Sequence, residues 1–468
     1  MPGAETTGAE TYRGKGLIVD PIHGYLLYTR SDGLLAGEAT EQDLIDTPWV
    51  QRLRRIPQLQ SARWVFPTAE HSRFTHALGA MHVAGRFAQQ LWPSLKAVFP
   101  DAPSAPLVEE LLRVAGLLHD VGHGPFGHFF DDNFLADIDL THELLGQRII
   151  REELGDVIRG LRRSPHGAFA AGEALDPEWI CYLMGKGYTQ QGPGDPRWLA
   201  CLKPVLSGIY TADNLDYVLR DAHMCGVAVG ADLDRIIYYS FITPEGLTLD
   251  RSGTQALIMF LTARFYMYTN VYYHRTTRAI DLHLKEIFRP TMRIVFPWDL
   301  RKDLQPYLQL TEWSLLEEVG RWHDADDPER RALGREWRQV LDRRIRWRMV
   351  HEEVLDDTQI TGWAGMRPES VAAEVRAGLP PALRALEFQV DLAFQDPRPE
   401  NPLAMGDRQI YVYDGATARV STEALAALFK YLPGKVAQCR IFARDHRHDR
   451  ELTEAFRRVL HDPAPRPG

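Results

Sequence analysis

The chain has 468 residues, enough for one large irregular domain or two to three smaller ones, and too many for one small core. Apolar residues at 45% and charged residues at 25% exclude a disordered chain and a fibrous repeat, and no run approaches the roughly 18 apolar residues of a spanning helix, so no membrane partner is expected. Lys+Arg 54 against Asp+Glu 63 gives a net charge of −9, which excludes a nucleic-acid-binding polycation overall but not a local basic groove.

Residues 1–15 are polar and small, lack the basic-then-apolar pattern of a signal segment, and predict a flexible tail on a cytoplasmic chain. Residues 461–468 predict a second tail. From Asp43 to Gln60 a helix is expected, with Thr47 as cap and Pro48 at its first position, where a missing N–H costs nothing. Residues 72–92 and 107–120 repeat apolar positions at helical spacing, as do 142–154, 207–222, 255–290 and 312–350. The Gly/Pro-rich stretch 190–196 predicts a loop. After about residue 380 the pattern changes. Residues 387–394, 408–413 and 438–444 read as strands rich in β-branched and aromatic residues, with a short helix over 421–432. The expectation is a mainly α protein: a helical body over 16–300, a helical extension over 301–380, and a small α+β C-terminal lobe over 381–468. Four cysteines (Cys181, Cys201, Cys225 and Cys439) form no CxxC pair, so reduced structural thiols are expected and a thiolate metal site is not.

The densest chemistry lies at 117–132, where His119, Asp120, His123, His128, Asp131 and Asp132 fall within one Gly-rich stretch. Adjacent His and Asp with further histidines supply imidazole and carboxylate, the ligands of a hard-to-borderline divalent metal. A core built this way would leave polar groups needing partners, so a metal or catalytic site is the reading. His76 lies on the preceding helix, with Arg73 three residues earlier on the same face. Asp213, Tyr217, Arg220 and Asp221 line one helical face that, taken alone, also reads as a salt-bridged surface.

The order His76, His119-Asp120, Asp213 resembles the signature of the HD-domain metal-dependent phosphohydrolases. Five stretches are more specific: DPIHG (20–24), DTPWVQRLRRIPQL (46–59), FPTAEHSRFTHALG (66–79), HDVGHGPFGHFFD (119–131) and DNLDYVLRD (213–221). Together they are similar to the deoxynucleoside triphosphate triphosphohydrolases, in the branch of the vertebrate enzymes that join a SAM domain to an HD domain. No SAM domain is expected here, since only a short segment precedes Asp20. The match runs through residues 15–290. The Gly-Lys and GYP motifs of the cyclic-dinucleotide phosphodiesterases are missing. His123 and Gly124 stand where the enterobacterial dGTPase type has Asn and Pro.

The resemblance implies one divalent metal ion (Fe, Mn, Zn, Ni or Mg) held by His76, His119, Asp120 and Asp213, with Mg²⁺ accompanying the triphosphate. It implies a catalytic set of His123, His128, Asp131 and His142, in which His128, oriented by Asp131, protonates the departing 5′ oxygen. The products implied are a deoxynucleoside and inorganic triphosphate, with dGTP as the expected substrate. Arg73 would meet the α-phosphate; Gln58, Leu59, Tyr217 and Asp221 would surround the sugar; Arg264, Tyr268 and Tyr272 would hold phosphates and base. A GTP or dGTP activator site is implied at Asp46, Gln51 and Arg54, closed by a second subunit of a homo-oligomer, dimer or tetramer. By spacing, Gln51, Arg54 and Gln58 fall on one helix face.

Three departures bear on this. Asn214 replaces a lysine next to the fourth ligand, Tyr268 replaces a histidine, and Gly16, beside Lys15, replaces the lysine of the activator site. DRSGT (250–254) stands where a more basic second activator segment is expected. The alternative reading is an HD-type nuclease or phosphodiesterase on the same metal. The basic run 329–348, with Trp337 and Trp347, gives that reading a nucleic-acid surface, against an amphipathic surface helix. A non-catalytic nucleotide sensor is disfavoured by the intact ligand set.

Overall fold

The computed structural model describes residues 13–32, 37–185, 196–356, 359, 367–395, 408–422, 429, 430, 432 and 434–461. The expected 190–196 loop apart from 196, most of the 421–432 helix, and both tails apart from 13–15 and 461 lie outside them. Among the described residues no helix is long and apolar enough to cross a membrane.

The body is helical, as its 3.6-residue periodicity predicts. The long helix Arg73–Val98 packs along Ala105–Leu118, and Ala212–Cys225 also packs on it. Small residues set the close approach: a Cβ on Gly116 would stand 2.7 Å from the Ala80 carbonyl oxygen. The two apolar faces meet over Ala77, Met81, Ala84, Phe87, Leu111, Val114, Ala115 and Leu118, all buried. Lys15 opens an antiparallel hairpin, Lys15–Asp20 with Gly24–Thr29, so the tail ends earlier than expected.

Three expected helices are divided. Thr47 does cap a helix at Pro48, its Oγ1 accepting from the Val50 N–H, but that helix ends at Arg52. Pro57 disfavours helical backbone at Ile56, which is extended at φ −125° and ψ 104°. Gln58 is thereby removed from the face shared by Gln51 and Arg54. The 255–290 segment runs as Thr254–Met267, a π turn over Tyr268–Tyr272, and a second helix Arg275–Val295. The 312–350 segment forms Glu312–Gly320 and Pro328–Leu341, then becomes a strand, Arg348–Asp356.

That strand pairs with Val436–Ala443, which also pairs with Phe388–Gln395. The C-terminal lobe therefore reaches back to Arg348. Helices Pro368–Gly378 and Asp449–His461 cover this three-stranded sheet, and the lobe has its own core around Val371, Val375, Ile441 and Phe456. The strand Tyr411–Asp414 leaves the lobe: it pairs in parallel with Gly246–Asp250, and Ile410 and Val412 join the core of the body. The four cysteines are free, and burial pushes the Cys181, Cys225 and Cys439 thiols up to about 12, as structural thiols require.

Candidate metal centre and active site

His119 and Asp120 follow the last turn of Ala105–Leu118, His76 lies one turn into Arg73–Val98, and Asp213 opens Ala212–Cys225 after the Thr211 cap. Three helices thus deliver their ligand atoms to one point. His76 Nε2 lies 3.1 Å from His119 Nε2 and 3.1 Å from Asp213 Oδ1, which is itself 3.5 Å from His119 Nε2. Asp120 stands beside this trio, one oxygen 3.3 Å from His119 Nε2, the other 2.6 Å from Arg73 Nη1.

The donor set fits a divalent ion. His119 Nδ1 donates to the Gly116 carbonyl at 2.8 Å and His76 Nδ1 to Asp216 Oδ2 at 2.8 Å. Both Nε2 atoms then face each other, and a proton or a cation between them relieves the repulsion of their lone pairs. Burial works against charge here, yet Asp213 and Asp216 raise His76 to about 10. Asp213 is held well below the carboxylate range, against burial, by His119 and His76. The point therefore attracts positive charge, and with no thiolate it suits a hard-to-borderline ion.

The loop after Asp120 curls back as its glycines suggest. A Cβ on Gly122 would lie 2.0 Å from the His142 carbonyl oxygen, so only glycine lets the loop reach the His142–Glu152 helix. Phe126 (φ 63°) and Gly127 (φ 52°) take left-handed backbone before His128. His123 is fully buried and stacks on His142 at 3.7 Å; burial, then Arg73 and His142, keeps it neutral. Asp131 Oδ2 accepts from His142 Nδ1 at 2.5 Å and lies 3.4 Å from His128 Nδ1. The carboxylate thus orients His142 most closely and His128 more loosely. His128 is the open member, its side chain 64% exposed.

The sugar and base candidates also converge. The Tyr217 ring lies 6.3 Å from both His76 and Tyr272, and Tyr272 lies 4.8 Å from Tyr268, over which Arg264 sits at 5.7 Å. Asp221 accepts from Tyr272 Oη at 2.6 Å and pairs with His71 Nε2 at 2.8 Å. Leu59 packs in one apolar cluster with Tyr272 and Cys225, and Gln58 N–H donates to the His71 carbonyl. Gln58 Oε1, His71 Nδ1, Arg73 Nε, Arg264 Nε and His123 Nδ1 are buried without a hydrogen-bond partner, and His123 Nε2 has only Asp120 Oδ1, at 3.4 Å. Buried polar atoms left open in this way are available to a ligand.

Residues 73–216 match the HD domain family and 231–294 the HD associated region. The chain is an HD-domain protein. It is 31% identical over 326 residues to the uncharacterized protein YwfO of Bacillus subtilis, covering 66% of each chain. It is 23% identical over 472 residues to the deoxynucleoside triphosphate triphosphohydrolase SAMHD1 homolog of Dictyostelium discoideum, covering 98% of this chain and 84% of the relative. With human SAMHD1 the identity is 27% over 425 residues, 81% of this chain and 62% of the relative. The chain thus spans just under two thirds of the Bacillus and human proteins. Its fold matches that of a hypothetical protein from Aquifex aeolicus, with a TM-score of 0.68, 23% identity, and coverage of 94% of this chain and 99% of the other. The HD domain implies a divalent metal, and the His76, His119 and Asp213 group lies within its matched span.

Sequence reading missed the residues behind the candidate ligands. His71 and Asp216 each hold a named site residue. The signal for Asp216 was its position three residues after Asp213, which sets two carboxylates on one helix face, one for each nitrogen of His76.

Proposed function

We propose that this HD domain hydrolyses deoxynucleoside triphosphates, dGTP among them, to a deoxynucleoside and inorganic triphosphate. The observation that carries the reading is the grouping of Tyr217, Tyr272, Asp221, His71 and Leu59 beside His76, aromatic and apolar surface with a carboxylate and an imidazole among it. That is the composition a deoxyribose beside a triphosphate requires.

His76, His119, Asp120 and Asp213 would hold the divalent ion, which when bound would supply positive charge to the phosphate and lower the pKa of a water. Arg73, beside Asp120, presents a guanidinium to the α-phosphate. The water oxygen bonds to the α-phosphorus, the bond to the 5′ oxygen breaks, and the exposed His128 gives that oxygen its proton while the water's proton leaves to solvent. Asp131 stays ionised because, against the cost of burial, His128 and His142 hold its carboxyl low, so it keeps both imidazoles aimed. Product identification from each dNTP, alongside single-stranded DNA and RNA, tests the assignment. Triphosphate release supports it; strand cleavage without triphosphate release would replace it with the nuclease reading. The basic run offers that reading little, since Trp337 and Trp347 are both buried, with indole N–H groups bonded to Thr291 and Glu286.

Deoxynucleotides should be preferred. A ribose 2′-OH against Leu59 and Tyr272 would be desolvated, which at about 1–3 kcal/mol is roughly a 5- to 150-fold loss. Side-by-side kcat/KM for dGTP and GTP checks this, and equal values would contradict it.

Asp46, Gln51 and Arg54 are the residues proposed to bind an activator. Arg54 Nε donates to Gln51 Oε1 at 2.8 Å, its guanidinium covers the Phe74 ring at 3.7 Å, and Asp46 and Arg54 are exposed. A carboxylate for guanine N1–H and N2 and a guanidinium for O6 or N7 suit a GTP or dGTP activator, with a second subunit completing the site. GTP should then raise both the sedimenting mass and the hydrolysis rate of the wild type, but not of Arg54→Ala. If GTP alters neither in the wild type, the trio is structural.

A further inference from the structure

We infer that the turn at residues 20–24 positions the metal ligand His76, through Asp216, with His23 and Arg220 as the residues that hold Asp216. The inference rests on the metal centre proposed above and not on its substrate.

Asp216 is fully buried and its carboxylate makes four hydrogen bonds. Oδ2 accepts from His76 Nδ1 and from Arg220 Nε, each at 2.8 Å. Oδ1 accepts from His23 Nε2 at 2.7 Å and Arg220 Nη2 at 2.8 Å. Asp20 closes the network: Oδ2 accepts from Arg220 Nη1 at 2.7 Å, while Oδ1 accepts from the N–H groups of Ile22 and His23, each at 2.9 Å. The backbone makes room for this. A Cβ on Gly79 would fall 1.9 Å from Asp216 Oδ1 and 2.4 Å from Arg220 Nη2, so the long helix carries glycine where the carboxylate crosses it.

A bidentate Arg220–Asp216 pair alone would be a sufficient structural clasp. The two imidazoles add something else. With Asp216 accepting at Nδ1, the His76 proton is fixed there, Nε2 keeps its lone pair toward Asp213 and His119, and the ring cannot rotate. A carboxylate behind a metal-binding imidazole also makes it the more basic ligand. His23, 193 residues from Asp216 in the chain, holds the second oxygen, so the position of the turn is transmitted to the ligand through two hydrogen bonds.

The test is Mn²⁺ affinity, measured on the metal-stripped full chain by competition with a chromophoric chelator, for wild type, His23→Leu, His23→Gln and Asp216→Asn. Circular dichroism and the melting midpoint of the metal-free proteins serve as controls. His23→Leu and Asp216→Asn should weaken Mn²⁺ binding by ~10–100-fold. His23→Gln should restore most of it, because the glutamine amide N–H lies near where the imidazole Nε2–H does. Wild-type affinity in His23→Leu overturns the inference. So does a loss that glutamine fails to restore and that comes with a lowered metal-free melting midpoint, which would make His23 a structural residue. If the wild type binds Mn²⁺ with this pattern yet hydrolyses no dNTP, the positioning role stands and the substrate reading falls.

Discussion

His119→Ala is expected to leave the fold intact, empty the metal centre and reduce hydrolysis by ~10³-fold or more, since Lewis-acid stabilisation of the transition state is worth several kcal/mol. The fold should survive because His119 lies just past the end of Ala105–Leu118 with its side chain toward the site, while Leu111, Leu112, Val114 and Leu118 carry the packing. Asp120→Ala should cost as much by two routes. It removes a ligand and also frees Arg73, whose guanidinium is buried against Asp120. Elemental analysis of each purified variant is the check. Full metal occupancy with normal turnover would show that these residues are not ligands.

His128→Ala is expected to separate from that behaviour. It should lower kcat for a dNTP by ~10²–10⁴-fold, the usual range for losing a general acid, with metal occupancy unchanged. Asp131→Asn should behave similarly, because its carboxylate is what aims both His142 and His128. The diagnostic is the leaving group. A 5′ alkoxide needs a proton to depart, whereas a p-nitrophenolate does not. A p-nitrophenyl phosphodiester should therefore lose far less activity than a dNTP in His128→Ala. Equal losses on both substrates would place His128 in binding and leave the departing oxygen to another donor.

Much of the candidate site was legible because its signals are local. His119-Asp120 are neighbours, the 122–127 glycines advertise a tight return, and Arg73 and His76 share a helix face by spacing. The Thr47 cap and Pro48 announced a helix start. The end of that helix was not announced by periodicity: Gln51, Arg54 and Gln58 suit one face, but the backbone preference of Ile56 before Pro57 wins. The turn at Tyr268–Tyr272 was invisible for a related reason. Arg264, Tyr268 and Tyr272 keep a four-residue interval whether the backbone is α or π, so spacing alone cannot tell which.

By itself the sequence determined the helical body and the imidazoles and carboxylates that meet at the candidate metal centre, because periodicity, capping and turn composition act over a few residues. Only the tertiary structure decided which distant groups stand behind them. His23 meets Asp216 across 193 positions, and Arg52 donates to the His123 carbonyl across 71. The strand Tyr411–Asp414 leaves its neighbours to pair with Gly246–Asp250, and Arg348–Asp356 turns an expected helix into part of the C-terminal sheet. Hydrogen bonds of this kind carry no local pattern. A buried carboxylate or a strand edge takes whichever partner the packed helices bring within about 3 Å, and that is a property of the assembled core.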